Sequence, residues 1–297
     1  MFALRTNSKS FIVGFCTCAF LFFFVMMVLR IQPGSVYSST NPLRNSNPIA
    51  CKADDNESSN KTANSAGTAS DHAGKFSDRI QKVMIHGNGS YNLRPDLRNK
   101  DSFSQYGQDK YISNLTEGKR NGFFIEIGAH DGQSLSNTLL LEMKNNWTGL
   151  LIEANPNMFP LIASVNRNCY AINCCLGYTN TSLTFTLYGF LTSADVVITA
   201  QHRKRMGGAN EKVTVECYSL LDVLNVIGTK KVDYFSLDVE GAELYILEAI
   251  DWNQIDIDVF TIETDQHRDK IMSFMKDHGY KWLKQLQGDD IFRKRRD

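Results

Sequence analysis

Phe123-Phe124-Ile125-Glu126-Ile127-Gly128-Ala129-His130-Asp131-Gly132 is the stretch whose reading decides the fold. Phe123–Ile127 is a short apolar run that suits a buried strand. It leads directly into a loop bounded by Gly128 and Gly132. Glycine at those positions lets the backbone pass close to a ligand and adopt conformations that other residues resist. Glu126 and Asp131 can accept hydrogen bonds from a cationic amino group, with Ala129 and His130 on the loop between them. A dinucleotide site prefers G-x-G-x-x-G and a helix N-terminus facing a pyrophosphate. That spacing is absent, and carboxylates repel phosphates. A positively charged cofactor bearing an amino acid suits the loop better, against the plain alternative of an ordinary glycine turn.

Two further segments end strands in carboxylates, where open α/β sheets bind their ligands. In Leu150-Leu151-Ile152-Glu153-Ala154-Asn155-Pro156, Glu153 lies 21 residues after Gly132. An acidic residue there can accept both ribose hydroxyls of an adenosine, and Asn155 beside it completes the candidate cofactor set. In Asp233-Tyr234-Phe235-Ser236-Leu237-Asp238-Val239-Glu240-Gly241-Ala242-Glu243, Asp238 and Glu240 can face a substrate hydroxyl. Glu243 in a first helical turn is favourable with no function at all.

From about Asp101 strands and helices alternate. Strands are expected at 123–127, 149–153, 169–174, 182–188, 212–217, 232–238 and 258–263. Helices are expected at 135–143, from Pro156 through Val165, and at 220–226, 242–250 and 267–277. Residues 189–211 read as an inserted loop, and 281–293 as a hairpin over Gly288-Asp289. This alternation predicts an α/β fold with a mainly parallel sheet covered on both faces.

The N-terminal third differs. Phe11–Leu29 is 19 residues without a charge, and about 20 apolar residues cross a bilayer core. A cleaved signal peptide has a shorter apolar region and a small-residue cleavage site, so an uncleaved transmembrane anchor in the lipid bilayer is expected. Arg5 and Lys9 precede the span, which favours a cytoplasmic N-terminus. Asn-x-Ser/Thr sequons at Asn56, Asn60, Asn88, Asn114, Asn146 and Asn180 all follow it, as glycosylation in a lumen requires. Residues 31–75 are Ser-, Asn- and Thr-rich and cannot bury enough surface to order themselves. The expected organisation is a cytoplasmic tail (1–10), an anchor (11–29), a flexible luminal stem (30–100) and a folded domain (101–297).

The 32 basic and 32 acidic residues give zero net charge, which argues against a general nucleic-acid partner. Of seven cysteines, Cys16 and Cys18 lie in the span. Cys51, Cys169, Cys174, Cys175 and Cys217 remain, an odd number that leaves at least one thiol free or paired between chains. With no C-x-x-C, no metal site is expected. Cys169, Cys174 and Cys175 sit in an apolar stretch and read as small buried hydrophobes.

From about Ser104 to Phe292 the chain resembles the FkbM-type methyltransferase family. The matching residues are Ser104-Gln105-Tyr106-Gly107-Gln108-Asp109, the 123–132 loop, Ser136-Asn137-Thr138, Trp147–Pro156 and Asp238–Glu243. The resemblance implies a class I, Rossmann-like fold that uses S-adenosylmethionine to methylate a hydroxyl oxygen. It places Glu126, Gly128, Asp131 and Gly132 at the methionine part of the cofactor and Glu153 at the ribose, with Ala129 and Asn155 as further candidate cofactor-binding residues. His130 and Glu240 are the candidate bases for the hydroxyl proton. With its anchor the chain is similar to the animal Star-like branch, which implies an alternative: a non-catalytic escort of growth-factor precursors in the secretory pathway. The expected acceptor is a glycan or other polyol, and the expected cargo on the escort reading is a secreted or membrane protein. A luminal glycosyltransferase is a third reading, but it leaves the Glu126 loop unexplained.

Overall fold

The computed structural model describes residues 77–177, 182–188, 191–194 and 211–296. The tail, the anchor at 11–29, most of the stem, Cys51 and the sequons at Asn56, Asn60 and Asn180 lie outside them. Among the described residues, no helix is long and apolar enough to cross a membrane.

Residues 77–83 are helical. The strands that follow are β1 (Met84–His86), β2 (Phe123–Ile127), β3 (Thr148–Ile152), β4 (Tyr170–Ile172), β5 (Cys175–Leu176), β6 (Ser182–Tyr188), β7 (Leu191–Ala194), β8 (Glu211–Tyr218), β9 (Lys231–Leu237), β10 (Asp256–Glu263), β11 (Tyr280–Leu286) and β12 (Asp289–Lys294). The helices are α1 (Gln108–Leu115), α2 (Leu139–Asn145), α3 (Phe159–Val165), α4 (Leu220–Ile227), α5 (Glu243–Ala249) and α6 (Arg268–Asp277).

Eight strands form one sheet in the order β1-β4-β3-β2-β9-β10-β12-β11. The five central strands, β4 to β10, are parallel. Strands buried on both faces read as continuous apolar runs, and the two cores confirm it. Ile125, Leu150, Phe235 and Phe260 pack on one face. Phe124, Leu151, Tyr234 and Val259 pack on the other. From β2 the chain moves outward to β3 and β4, then returns to β9 on β2's other side. That reversal opens a crevice beyond the carboxyl ends of β2 and β9.

The elements depart from the sequence reading in several places. The sheet's edge strand, β1, lies inside the expected stem, and Leu93 and Leu97 are buried. The folded domain therefore begins before residue 101, because β4 offers an edge for β1 to pair. Pro156 sits in a turn, and α3 starts three residues later with Pro160 in its first turn. The hairpin's second strand, β12, inserts antiparallel between β10 and β11. The expected loop 189–211 contains β7, part of a second sheet ordered β5-β8-β6-β7.

That second sheet corrects one cysteine. Cys175 and Cys217 occupy facing positions on β5 and β8 and form a disulfide. Cys169 and Cys174 are free and buried, as expected. The bond closes a loop of 42 residues, which the chain-entropy account makes worth about 2–4 kcal/mol. Cys217→Ser is expected to lower stability by that amount in urea unfolding under oxidising conditions. It should have no effect once the wild-type chain is fully reduced.

Candidate functional site

Three loops gather at the carboxyl end of the central strands. The β2 loop turns on three left-handed residues, Gly128, His130 and Gly132, with φ of 82°, 52° and 78°. A Cβ on Gly128 would lie 1.9 Å from the Asp238 carbonyl oxygen. The glycine thus lets the β2 loop and the β9 loop touch. Gly128 N and Ala129 N both donate to Ile152 O, at 3.0 and 3.2 Å. The next amide, His130 N, donates to Glu153 Oε2 at 2.8 Å. Three successive amides thereby tie the β2 loop to the end of β3.

Glu153 also accepts from Asn155 N at 2.7 Å. Burial raises its carboxyl, and the Asn155 and His130 amides oppose that rise. A carboxylate offers about four lone-pair positions, so it retains capacity for further donors. Asn155 is fully buried; its Oδ1 accepts from Asn157 N, while its Nδ2 has no partner. A buried unpaired donor costs about 1–3 kcal/mol, and an acceptor on a ligand would satisfy it.

Asp131 folds back on its own loop. It accepts from Gln133 N, Ser134 N and Ser134 Oγ at 3.0, 2.6 and 2.7 Å. Arg94 Nη1 lies 3.5 Å away. Burial pushes its carboxyl up, but the bonds from His130, Ser134 and Gln133 outweigh it and hold the group well below its usual range. His130 Nδ1 lies 3.5 Å from Asp131, and the imidazole is 34% exposed.

Glu126 sits one pleat lower and is turned inward. It accepts from Ser136 Oγ (2.8 Å), Asn137 N (2.7 Å) and Thr138 Oγ1. Arg167 Nη1 lies 3.6 Å away. Its acceptor positions are filled from within the protein. The other bonds of Arg167 complete a buried lattice: to Glu142 at 2.9 and 2.8 Å, to Gly132 O at 3.0 Å, and to Ser136 Oγ and Thr138 Oγ1 at 3.1 and 2.9 Å. One guanidinium thus connects β2, the loop's last glycine and α2. Nothing in the spacing of the sequence singles out Arg167.

Across the switch point, Glu240 and Gly241 are left-handed, with φ of 56° and 106°. Glu243 accepts from Val239 N and Gly241 N at 3.0 and 3.1 Å, so it closes this turn. Burial, and then Asp265, raise the Glu240 carboxyl. Glu240 therefore neighbours the β10 end, whereas His130 neighbours the β3 end. Asp238 N continues the ladder by donating to Ile127 O at 3.2 Å.

The same pleat carries an acidic row of which the sequence reading singled out only Asp238. Ser236 pairs with Thr261, and Glu263 pairs with Asp289. Alternation therefore puts Asp238, Glu263 and Asp289 on one face of β9, β10 and β12. Desolvation, and then neighbouring carboxylates, hold Asp238 and Glu263 well above the usual carboxylate range. Burial also raises Asp289, against a 2.6 Å bond from Gln108 Nε2. A carboxyl raised by folding binds a proton that the unfolded chain does not. Such a group stabilises the fold below its unfolded pKa, and that stability is lost as pH rises through the folded one. Stability should therefore fall as pH rises from the ordinary carboxylate range toward about 11, where Glu263 ionises in the folded chain. Glu263→Gln should flatten that slope in urea midpoints measured across the range; an unchanged slope would show that Glu263 does not carry it.

Asp238 was already a candidate; of the two the sequence reading missed, Glu263 had a signal, since Thr261-Ile262-Glu263 ends a strand in a carboxylate as the other three segments do, and Asp289 had none. Ser104–Asp109 and Ser136–Thr138 prove to be bracing elements. Asp109 ties down Ser102, Phe103 and Ser104, and Ser136–Thr138 hold Glu126.

This sheet order, with a glycine loop and an acidic residue on successive strand ends, defines a class I, S-adenosylmethionine-dependent methyltransferase fold. The family model of the methyltransferase FkbM domain matches residues 126–282, and the chain belongs to that family. No curated protein sequence matches the chain. Among solved structures, a precorrin-6y C5,15-methyltransferase from Geobacter metallireducens GS-15 aligns at 15% identity over 68% of this chain and 91% of its own, with a TM-score of 0.37. A TehB-like SAM-dependent methyltransferase from Corynebacterium glutamicum aligns at 9% identity over 76% of this chain and 100% of its own, with the same TM-score of 0.37.

The site's residues fit S-adenosylmethionine. Glu153 and the unpaired Asn155 Nδ2 offer an acceptor and a donor side by side for an adenosine. The acidic surroundings of the glycine loop suit an ammonium and a sulfonium, and they disfavour phosphate. Among the described residues, no group of His, Cys, Asp and Glu side chains is arranged to hold a metal ion.

Proposed function

We propose that this chain is an O-methyltransferase of the secretory pathway, held by residues 11–29 in the membrane and acting on a hydroxyl acceptor such as a glycan. The observation that carries the cofactor part is the tie between the two adenosine-side elements. His130 N binds Glu153, and Asn155 keeps a buried donor free beside it. Glu153 and Asn155 hold the ribose side, while Gly128, Ala129 and Gly132 shape the loop against the methionine. Asp131 keeps that loop closed, and Glu126 braces it from below.

The cofactor supplies a methyl group on a sulfonium. The chain's task is to align an acceptor oxygen with it and remove a proton. His130 is partly exposed, with its Nδ1 3.5 Å from the Asp131 carboxylate, and is the first candidate base. Glu240 has a raised carboxyl at the opposite loop and is the second candidate base.

The compartment is supported by the Cys175–Cys217 disulfide, since such bonds persist in oxidising environments. The described sequon asparagines Asn88, Asn114 and Asn146 are all exposed, as a glycan requires.

Calorimetry on the full-length chain with S-adenosylmethionine tests the reading. Binding is expected, and Glu153→Ala and Asp131→Ala should each weaken it at least tenfold. A folded chain that takes up no cofactor would sink the proposal. Cofactor binding with no methyl transfer to any glycan in a panel would instead support a non-catalytic escort of secreted or membrane cargo.

A further inference from the structure

An acidic row stands beside the cofactor loop. Glu263 and Asp289 pair across β10 and β12, and Asp238 directly follows β9, whose last residue Leu237 pairs with Ile262. Strand spacing puts neighbours about 5 Å apart. Among the described residues, no Lys or Arg pairs with any of the three. The nearby Arg268 is committed to Asp290, at 2.7 and 3.0 Å. Glu243 and Asp265 add further acids from the adjoining loops and are among the charges that Asp238 and Glu263 meet. Such a concentration of carboxylates is costly unless something positive joins it.

A second observation points the same way. Asn137 is 93% buried by its 7% exposure, and its Nδ2 donates to Ser236 Oγ at 2.8 Å. Ser236 lies on the row's own face, one pleat below Asp238. The Asn137 Oδ1 is buried and has no donor. Tyr106 is 45% exposed and is tied to the row through Gln108, whose Oε1 accepts from Tyr106 N at 2.7 Å and whose Nε2 donates to Asp289 at 2.6 Å. Leu135, bridged to Ser104 beside it, is 50% exposed.

A buried acceptor without a donor, carboxylates that no described Lys or Arg pairs, and an exposed aromatic ring together describe a site for an organic ammonium. An ammonium brings three donors and no acceptor, and it also stacks well on a tyrosine face. Given the methyltransferase reading above, we propose that Asp238, Glu263 and Asp289, with Asn137 Oδ1 and Tyr106, bind a protonated amine on the acceptor substrate, which is therefore an amine-bearing molecule with an aliphatic or sugar body.

The competing occupant is the cofactor's own ammonium, and the test separates the two. The full-length chain is loaded with S-adenosylhomocysteine and titrated with spermidine by calorimetry. Uncharged 1,8-octanediol serves as the comparison. Spermidine is expected to bind and the diol is not. Glu263→Gln and Asp289→Asn should each weaken spermidine at least tenfold while changing S-adenosylhomocysteine affinity by less than threefold. Measured in two buffers of different ionisation heat, spermidine binding should release protons, because the carboxyls ionise as the amine arrives. Each variant removes a crowded carboxylate, so thermal melts at or above the wild-type value should accompany these losses. The proposal is overturned if a chain that binds S-adenosylhomocysteine ignores spermidine, or if the diol binds equally well. It is also overturned if the variants weaken S-adenosylhomocysteine as much as the amine. If the chain binds no S-adenosylhomocysteine, the methyltransferase reading fails separately. Spermidine binding to the unloaded chain, lost in both variants, would then still uphold the cation site.

Discussion

Arg167→Ala is expected to destabilise the fold by about 3–5 kcal/mol, the cost of stripping one partner from a buried ion pair. Arg167 is 2% exposed and contacts two buried carboxylates, Glu126 and Glu142. Without it neither is neutralised, although each keeps some neutral donors. Ser136, Asn137 and Thr138 still serve Glu126, and Asn168 N still serves Glu142 at 2.6 Å. The remaining penalty is desolvated charge. The same guanidinium holds Gly132 O, so the loop's end loosens too. Urea unfolding measures the loss. Arg167→Lys should recover only part of it, because an ammonium cannot span Glu142, Gly132 and Thr138 as a planar fork does. A loss under about 1 kcal/mol for the alanine variant would show that the lattice does not carry the loop.

Gly128→Ala should have the second large effect. The residue is left-handed, which costs a non-glycine residue about 1 kcal/mol. The steric part is greater, because the new Cβ would lie 1.9 Å from backbone, the Asp238 carbonyl oxygen. Backbone cannot swing aside as a flexible side chain can. Either the β2 loop lifts or β9 shifts, and both change the crevice. Cofactor binding should fall by at least two orders of magnitude, about 2.7 kcal/mol, with a smaller loss in global stability. Gly132→Ala makes a useful comparison. Its Cβ would meet Ile162 Cα at 3.3 Å, and a slight adjustment of α3 can absorb that. An equal loss from both variants would show that loop conformation, and not the contact with β9, governs binding.

These variants probe features that differ in how far they were legible in the sequence. The parallel strands were legible because each is buried on both faces and so reads as an apolar run, from Phe123 to Ile127 and from Val232 to Leu237. Their strand-end carboxylates were legible because each follows such a run directly. Pro156 misled because a proline suits a turn before a helix as well as its first turn, and only the placement of Pro160 separates the two. Cys175 read as a buried hydrophobe because its partner lies 42 residues away on another strand. The insertion of β12 between β10 and β11 was equally hidden, since a hairpin pattern does not say which of its strands meets the sheet.

The glycine loop shows where local sequence ends and tertiary structure begins. By themselves, Glu126, Gly128, Asp131 and Gly132 determined a strand, a tight turn and an acidic, phosphate-averse lining, because backbone freedom and charge are properties of the residues alone. Tertiary structure decided which acid does which work. Glu126 is drawn inward to Arg167 and Ser136–Thr138, Asp131 is spent on its own loop, and Glu153 keeps capacity for a ligand. Hydrogen-bond capacity is shared among neighbours in space, and residues as distant in the chain as Glu126 and Arg167, or Gln108 and Asp289, become neighbours only when the sheet assembles.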